Sequence, residues 1–127
     1  MNILGIGVDI VENARIEKSI TRLGEPFLRR VFTEAEREYC ARMALSAPSY
    51  AARFAAKEAV SKAFGTGIGG SVGWLDIEVQ RKTSGEPFIV LHGGASALAQ
   101  RLGIREVLIS LSHSEHYAVA NAIALGG

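Results

Sequence analysis

Apolar and polar positions alternate along residues 2–11. Leu4, Ile6, Val8 and Ile10 fall on one side, and Ile3, Gly5, Gly7, Asp9 and Val11 on the other. This alternation predicts a strand whose Leu4-to-Ile10 side faces the core. The spacing then becomes helical. Asn13 is placed to cap a helix over 14–23, with Ile16, Ile20 and Leu23 as its apolar stripe and Gly24 as its stop. Thr33-Glu34-Ala35-Glu36 spells a capping box, Thr33 bonding forward and Glu36 back, and opens a helix to about Met43. A break at Ser46-Ala47-Pro48 precedes a long Ala-rich helix that starts near Pro48. Beyond a glycine-rich loop, Trp74 to Gln80 alternates as a strand. Ser84-Gly85 marks a turn, and Pro87 to Leu91 completes a hairpin. Gly93-Gly94 opens a short helix to about Leu102, ended by Gly103. Glu106–Ser112 and Tyr117–Leu125 form a second hairpin around the His113-to-Glu115 connection. Strand, helices, hairpin, helix, hairpin predicts one α+β domain over 1–127, a mainly antiparallel sheet wrapped on a central helix. The last strand reads as an open edge or as an oligomer contact.

The central helix organises the chain. In Arg53-Phe54-Ala55-Ala56-Lys57-Glu58-Ala59-Val60-Ser61-Lys62-Ala63-Phe64, residues Ala52, Ala56, Ala59 and Ala63 share one side, flanked by Ala55 and Val60. Side chains this small let a neighbouring element approach closely. Yet Arg53, Lys57, Glu58 and Lys62 are charged, and a central element keeps charges that are paired or functional. Glu58 and Lys62, four apart, read either as an ion pair on a solvated face or as site residues. Gly65 is placed to end the helix in the left-handed conformation.

Composition narrows the function classes. The chain has 127 residues, 48% apolar and 21% charged, with net charge +1. No global field draws nucleic acid, so an electrostatic partner must be met by a local patch. Arg15, Lys18 and Arg22, with Arg29 and Arg30 beyond, form one such basic surface, either merely solvated or a dock for an acidic partner. Cys40 is the only cysteine, which excludes an internal disulfide and fits a reducing compartment. The opening residues carry no export-signal pattern, and no apolar run reaches membrane-spanning length. The expected compartment is the cytoplasm, with no membrane and no nucleic-acid partner.

Several constellations compete for the chemistry. Gly65-Thr66-Gly67-Ile68-Gly69-Gly70 lacks both the strand–loop–helix context of a dinucleotide fingerprint and the Gly-Lys-Ser/Thr of a P-loop. It reads as a connector whose backbone can approach a ligand. His113 sits at a hairpin tip directly after an apolar strand, where it can be aimed. No Cys/His spacing suits zinc, and no nucleophile elbow supports a Ser-His-Asp triad. Asp9 reads as a strand-end cap, or as a carboxylate that is paired or holds a cation. Asp9 and Glu58, from separate elements, together with Lys62, suit Mg²⁺ and a phosphate or diphosphate ligand.

The stretches Gly-Ile-Gly-Val-Asp-Ile-Val-Glu at 5–12, Phe-Thr-Glu-Ala-Glu at 32–36, Arg-Phe-Ala-Ala-Lys-Glu-Ala-Val-Ser-Lys-Ala-Phe-Gly-Thr-Gly at 53–67 and Ser-His-Ser-Glu-His-Tyr-Ala at 112–118 resemble the holo-acyl-carrier-protein synthases. These are the small 4′-phosphopantetheinyl transferases of bacterial fatty acid synthesis, and the likeness spans the chain in the family's order. The resemblance implies transfer of 4′-phosphopantetheine from coenzyme A to a serine of apo acyl carrier protein, with adenosine 3′,5′-bisphosphate leaving. It implies Asp9 and Glu58 as Mg²⁺ ligands and Lys62 as a diphosphate contact that assists the leaving phosphate. It also implies coenzyme A contacts at Arg53, Gly65, Gly67, Pro87 and His113. Either Glu58, acting through a water on the metal, or Asp9 would deprotonate the serine. The family resemblance further implies a homotrimer with active sites between neighbours, and carrier-protein docking through Arg15 and Arg22.

Overall fold

The computed structural model describes residues 1–127. In chain order the elements are β1 (Asn2–Glu12), α1 (Asn13–Leu23), α2 (Glu25–Val31), α3 (Glu34–Ala41) and α4 (Ser46–Ala63). They continue with a 3-10 turn (Trp74–Asp76), β2 (Ile77–Arg81), β3 (Pro87–Leu91), α5 (Gly93–Leu102), β4 (Ile104–His113) and β5 (Tyr117–Gly126). One antiparallel sheet has the order β1-β5-β4, and β2-β3 is a separate hairpin. The last strand is therefore the sheet's centre and not an open edge.

Helix α4 lies against the inner face of β1 and β5. Ala51, Ala52, Ala55, Ala56, Ala59, Val60 and Ala63 of α4 are buried, and so are Ala118, Ala120, Ala122 and Ala124 of β5. Alanine facing alanine keeps helix and sheet close, and β1 comes closer still. A Cβ on Gly5 would run into the carbonyl oxygen of Ala63, and one on Gly7 into that of Ala59. This packing reverses the expected orientation of β1. The glycine side faces α4, while Ile6 and Ile10 on the other side stay 70% and 63% exposed. Apolarity pointed the larger residues inward. At Gly5 and Gly7 the space beside α4 admits no side chain, so the side that carries them turns inward.

The capping box forms as expected. Thr33 Oγ1 accepts from Glu36 N at 3.3 Å, and Glu36 Oε1 accepts from Thr33 N at 2.8 Å. Glu36 has a longer reach that the local motif does not show. It is fully buried, its Oε2 accepts from Val79 N at 2.8 Å, and its Oε1 meets Lys57 Nζ at 2.8 Å. Lys57 Nζ also donates to Trp74 O at 2.9 Å and Ile77 O at 2.6 Å. Three donors of one ammonium are thus satisfied, and α3, α4, the 3-10 turn and β2 meet at one dry ion pair. Arg53 and Ser61, one turn to either side of Lys57 on the same helix face, are buried as well.

Two further expectations change, and one helix forms that no pattern predicts. Asn13 does not cap α1; Glu12 holds that position without a side-chain bond, and Asn13 is the first helical residue. Helix α2, begun by Pro26 near its N-terminus, is too short to show a period and hangs on Phe27 and Val31. Trp74–Asp76 winds as a 3-10 turn because Asp76 Oδ2 accepts from Gly73 N at 3.0 Å, so the strand begins only at Ile77. No helix is long and apolar enough to cross a membrane.

Candidate active site

Asp9 leaves β1 on the same side as Gly7, toward α4, and its side chain is 19% exposed. Lys62, in the last turn of α4, donates from Nζ to Asp9 Oδ1 and to Val8 O, both at 3.0 Å. Glu58 stands one turn earlier. Burial, followed by the charge of Asp9, pushes its carboxyl above the usual range, against the pull of Lys62 and Arg15. The close seam between β1 and α4 thus brings Asp9, Glu58 and Lys62 together. Lys62 forms its ion pair with Asp9. The solvated pair with Glu58 does not form.

Two carboxylates that repel each other, supplied by different elements, suit a hard divalent cation, which would relieve the repulsion that raises Glu58. No group of three or more His, Cys, Asp or Glu residues is arranged to hold a metal ion. Two protein oxygens with the remaining positions left to phosphate and water is the pattern Mg²⁺ takes on substrate phosphates. The donor set therefore fits Mg²⁺ at Asp9 and Glu58.

The other expected residues lie around this centre or away from it. Gly65 (φ 82°) and Gly67 (φ 69°) are left-handed, and the loop turns back onto the helix end through Gly65 N to Lys62 O at 2.9 Å and Gly67 N to Ser61 O at 3.1 Å. Arg15 and Arg22 border a shallow depression of about 260 Å³ with Lys18, Ser19 and Leu23. Arg15 is the one whose charge reaches Glu58. Pro87 opens β3 opposite Arg81. Arg53 is 1% exposed. Its guanidinium covers the Tyr39 ring at 4.2 Å and bonds Ser49 Oγ at 3.0 Å, while its buried Nε has no partner. His113 ends β4, beside Ala118 of β5, which pairs in turn with Val11 of β1. A whole strand therefore separates His113 from β1, so a single chain does not gather Asp9 and His113 side by side.

The outer face of the sheet borders the same centre. A depression of about 740 Å³ is lined by Ile6, Val8, Lys62, Ser110, Asn121 and Ile123, among others. Sequence reasoning missed two long-range features, the Lys57–Glu36 pair and the bonds from the Asn13 amide to the carbonyls of Ser114 and Glu115. Glu36 carried a signal only as a cap residue, and pairing over 21 positions leaves no periodic trace.

Comparison with known proteins follows the same outline. A family model described as the 4′-phosphopantetheinyl transferase superfamily matches residues 5–122. A holo-[acyl-carrier-protein] synthase of Koribacter versatilis is 53% identical over 121 residues, 95% of this chain and 97% of that protein. A crystal structure of holo-[acyl-carrier-protein] synthase from Neisseria meningitidis superimposes with a TM-score of 0.91 at 34% identity, covering 98% of this chain and 99% of that one. The Helicobacter pylori synthase in complex with coenzyme A gives 0.85 at 34% identity, over 94% and 99%.

Proposed function

The chain belongs to the 4′-phosphopantetheinyl transferase superfamily, and from that premise we propose that it converts apo acyl carrier protein to the holo form with coenzyme A as donor. The observation that carries the reading is the meeting of Asp9, Lys62 and Glu58 where β1 crosses α4. The carrier serine Oγ attacks the phosphorus that bears the pantetheine arm. A new P–O bond forms, the bond to the bridging diphosphate oxygen breaks, and adenosine 3′,5′-bisphosphate departs with that oxygen.

Asp9 and Glu58 would hold Mg²⁺, which supplies neutralisation of the diphosphate charge. The chain's own groups do the rest. Lys62 Nζ, already at the Asp9 carboxylate, offers an ammonium to the departing phosphate oxygen. Either Glu58, through an intervening water, or Asp9 takes the serine proton. Gly65 and Gly67 allow backbone to lie against the nucleotide. Pro87 and His113 complete the coenzyme A contacts, whereas Arg53, expected among them, is buried against Tyr39 and Ser49; Arg15 and Arg22 dock the acidic carrier.

The working unit in this reading is a homotrimer with each site shared between neighbours. Two features support it: the exposed apolar row Leu4, Ile6, Val8 and Ile10 on β1, and the strand that separates His113 from β1. The reading includes a role in fatty acid biosynthesis in the cytoplasm, in keeping with the single unpaired Cys40.

The test is a mass assay with coenzyme A, Mg²⁺ and apo acyl carrier protein. The expected product is a carrier heavier by about 340 Da, the mass of the group that coenzyme A carries. Asp9→Ala and Lys62→Ala should each slow its formation at least about 100-fold while leaving the fold intact. No adduct, or wild-type rates in both variants, would overturn the assignment.

A further inference from the structure

The hairpin tip between β4 and β5 begins at His113, the last β4 residue paired with β5, and the 114–116 turn beyond it lies outside the strand pairing. Turn tips of this kind open readily unless they are tied down. Here the tie comes from Asn13, on the opposite edge of the sheet in sequence terms, at the junction of β1 and α1. Asn13 is 6% exposed. Its Nδ2 donates to Ser114 O at 3.0 Å and to Glu115 O at 3.1 Å, and its backbone N donates to His116 O at 2.8 Å. Three consecutive carbonyls of the turn are thereby held by one residue. The turn is closed internally as well, by Ser114 N to Tyr117 O at 2.8 Å.

We infer that Asn13 is a positioning residue for coenzyme A recognition: it fixes the 114–116 turn so that His113 is held in its binding orientation before the ligand arrives. The inference rests on the transferase reading above. Asn13 follows the strand that carries Asp9 and begins the helix that carries Arg15. The same residue therefore ties the His113 turn to the metal-ligand strand and the docking helix. A turn released from Asn13 would hold His113 correctly only part of the time, and apparent affinity falls by that fraction. Asn suits the task because its amide offers two donors from one short side chain. Asp in its place would turn a carboxylate oxygen toward two carbonyl oxygens.

The test is a double-mutant cycle between Asn13→Ala and His113→Ala, read as KM for coenzyme A, KM for carrier protein and kcat. Asn13→Ala alone should raise KM for coenzyme A about 5- to 10-fold, with kcat and the carrier KM changed less than about twofold. In the His113→Ala background the same substitution should add less than about twofold. Independent, multiplying effects would overturn the inference, as would an effect confined to kcat or to the carrier KM. Asn13→Ser, which keeps one donor, should fall between wild type and Asn13→Ala, and it serves if the alanine variant folds poorly. Imidazole NMR signals of His113 give a readout that needs no turnover. They should broaden or shift in Asn13→Ala, and unchanged signals would also overturn the inference. Wild-type transfer measured alongside separates the two levels: no adduct from wild type refutes the transferase reading, while an adduct with a multiplicative cycle refutes only the role of Asn13.

Discussion

Gly7→Ala probes the seam on which the candidate site depends. A Cβ at Gly7 would sit well inside contact distance of the Ala59 carbonyl oxygen and would also press on Ala63 N. Both obstacles are backbone, so no rotamer change relieves the overlap. The strand must lift from α4 by about 1 Å or more, because interiors of this density leave no slack. Overpacking of a core costs about 1–3 kcal/mol, and a backbone-on-backbone clash belongs at the upper end. For a domain of this size, about 3 kcal/mol lowers Tm by roughly 10 °C. Asp9 lies two residues further along the same side of β1, so the lift also carries its carboxylate away from Glu58 and Lys62. A misplacement of about 1 Å at reacting groups costs about 100-fold in kcat. Urea unfolding at fixed protein concentration gives the first quantity, and the rate of carrier-protein modification gives the second. Ala59→Gly should not rescue the variant, since the obstructing atom is a carbonyl oxygen and not the alanine methyl. Rescue by Ala59→Gly, or a Gly7→Ala protein within about threefold of wild-type kcat and about 0.5 kcal/mol of its stability, would refute the packing argument.

Lys57→Met keeps the length of the side chain but leaves the Glu36 carboxylate buried without its cation. Urea unfolding should show a loss of about 3–5 kcal/mol, and a loss below about 1 kcal/mol would mean the pair is not charged and dry. Glu58 titrates above the ordinary glutamate range because of burial and Asp9. The folded chain therefore holds its proton to higher pH than the unfolded chain, and metal-free stability falls as pH rises from the ordinary glutamate value through the raised one. Glu58→Gln should flatten that part of the stability–pH profile and slow transfer at least about 100-fold; an unchanged slope would mean Glu58 is not the source. Arg22→Glu should weaken carrier binding about 10-fold at low salt, with the effect shrinking as salt is added. Arg22 is cleaner than Arg15 for this measurement because Arg15 also acts on Glu58, and an effect independent of salt would count against electrostatic docking.

Much of this protein was legible in the linear chain because the signals are local. The alanine positions of α4, the glycines that follow it, the capping box at Thr33 and the two hairpins each depend on residues within a few positions of one another. The carboxylates Asp9 and Glu58 also stood out, since charge inside apolar patterning is conspicuous wherever the chain goes. The orientation of β1 was not legible. Alternation gives two sides, and which of them faces inward depends on how close the partner element comes. Alanines on α4 bring it close enough that only Gly5 and Gly7 fit, so the isoleucines turn outward.

Three further matters rest on the tertiary structure alone. The Glu36–Lys57 pair joins helices whose register the sequence does not encode. Asn13 carries the composition of a helix cap, yet its amide is spent on a turn about 100 residues away, as the separations of 101 and 102 show. Lys62 had two carboxylates to choose from, one a helical turn away and one across the seam, and it bonds to Asp9. Sequence alone determined the elements and most of the chemical groups, because propensity, capping and charge are properties of neighbours. Only the fold decided which side is buried and which groups meet, because those depend on distances between elements that no local pattern sets.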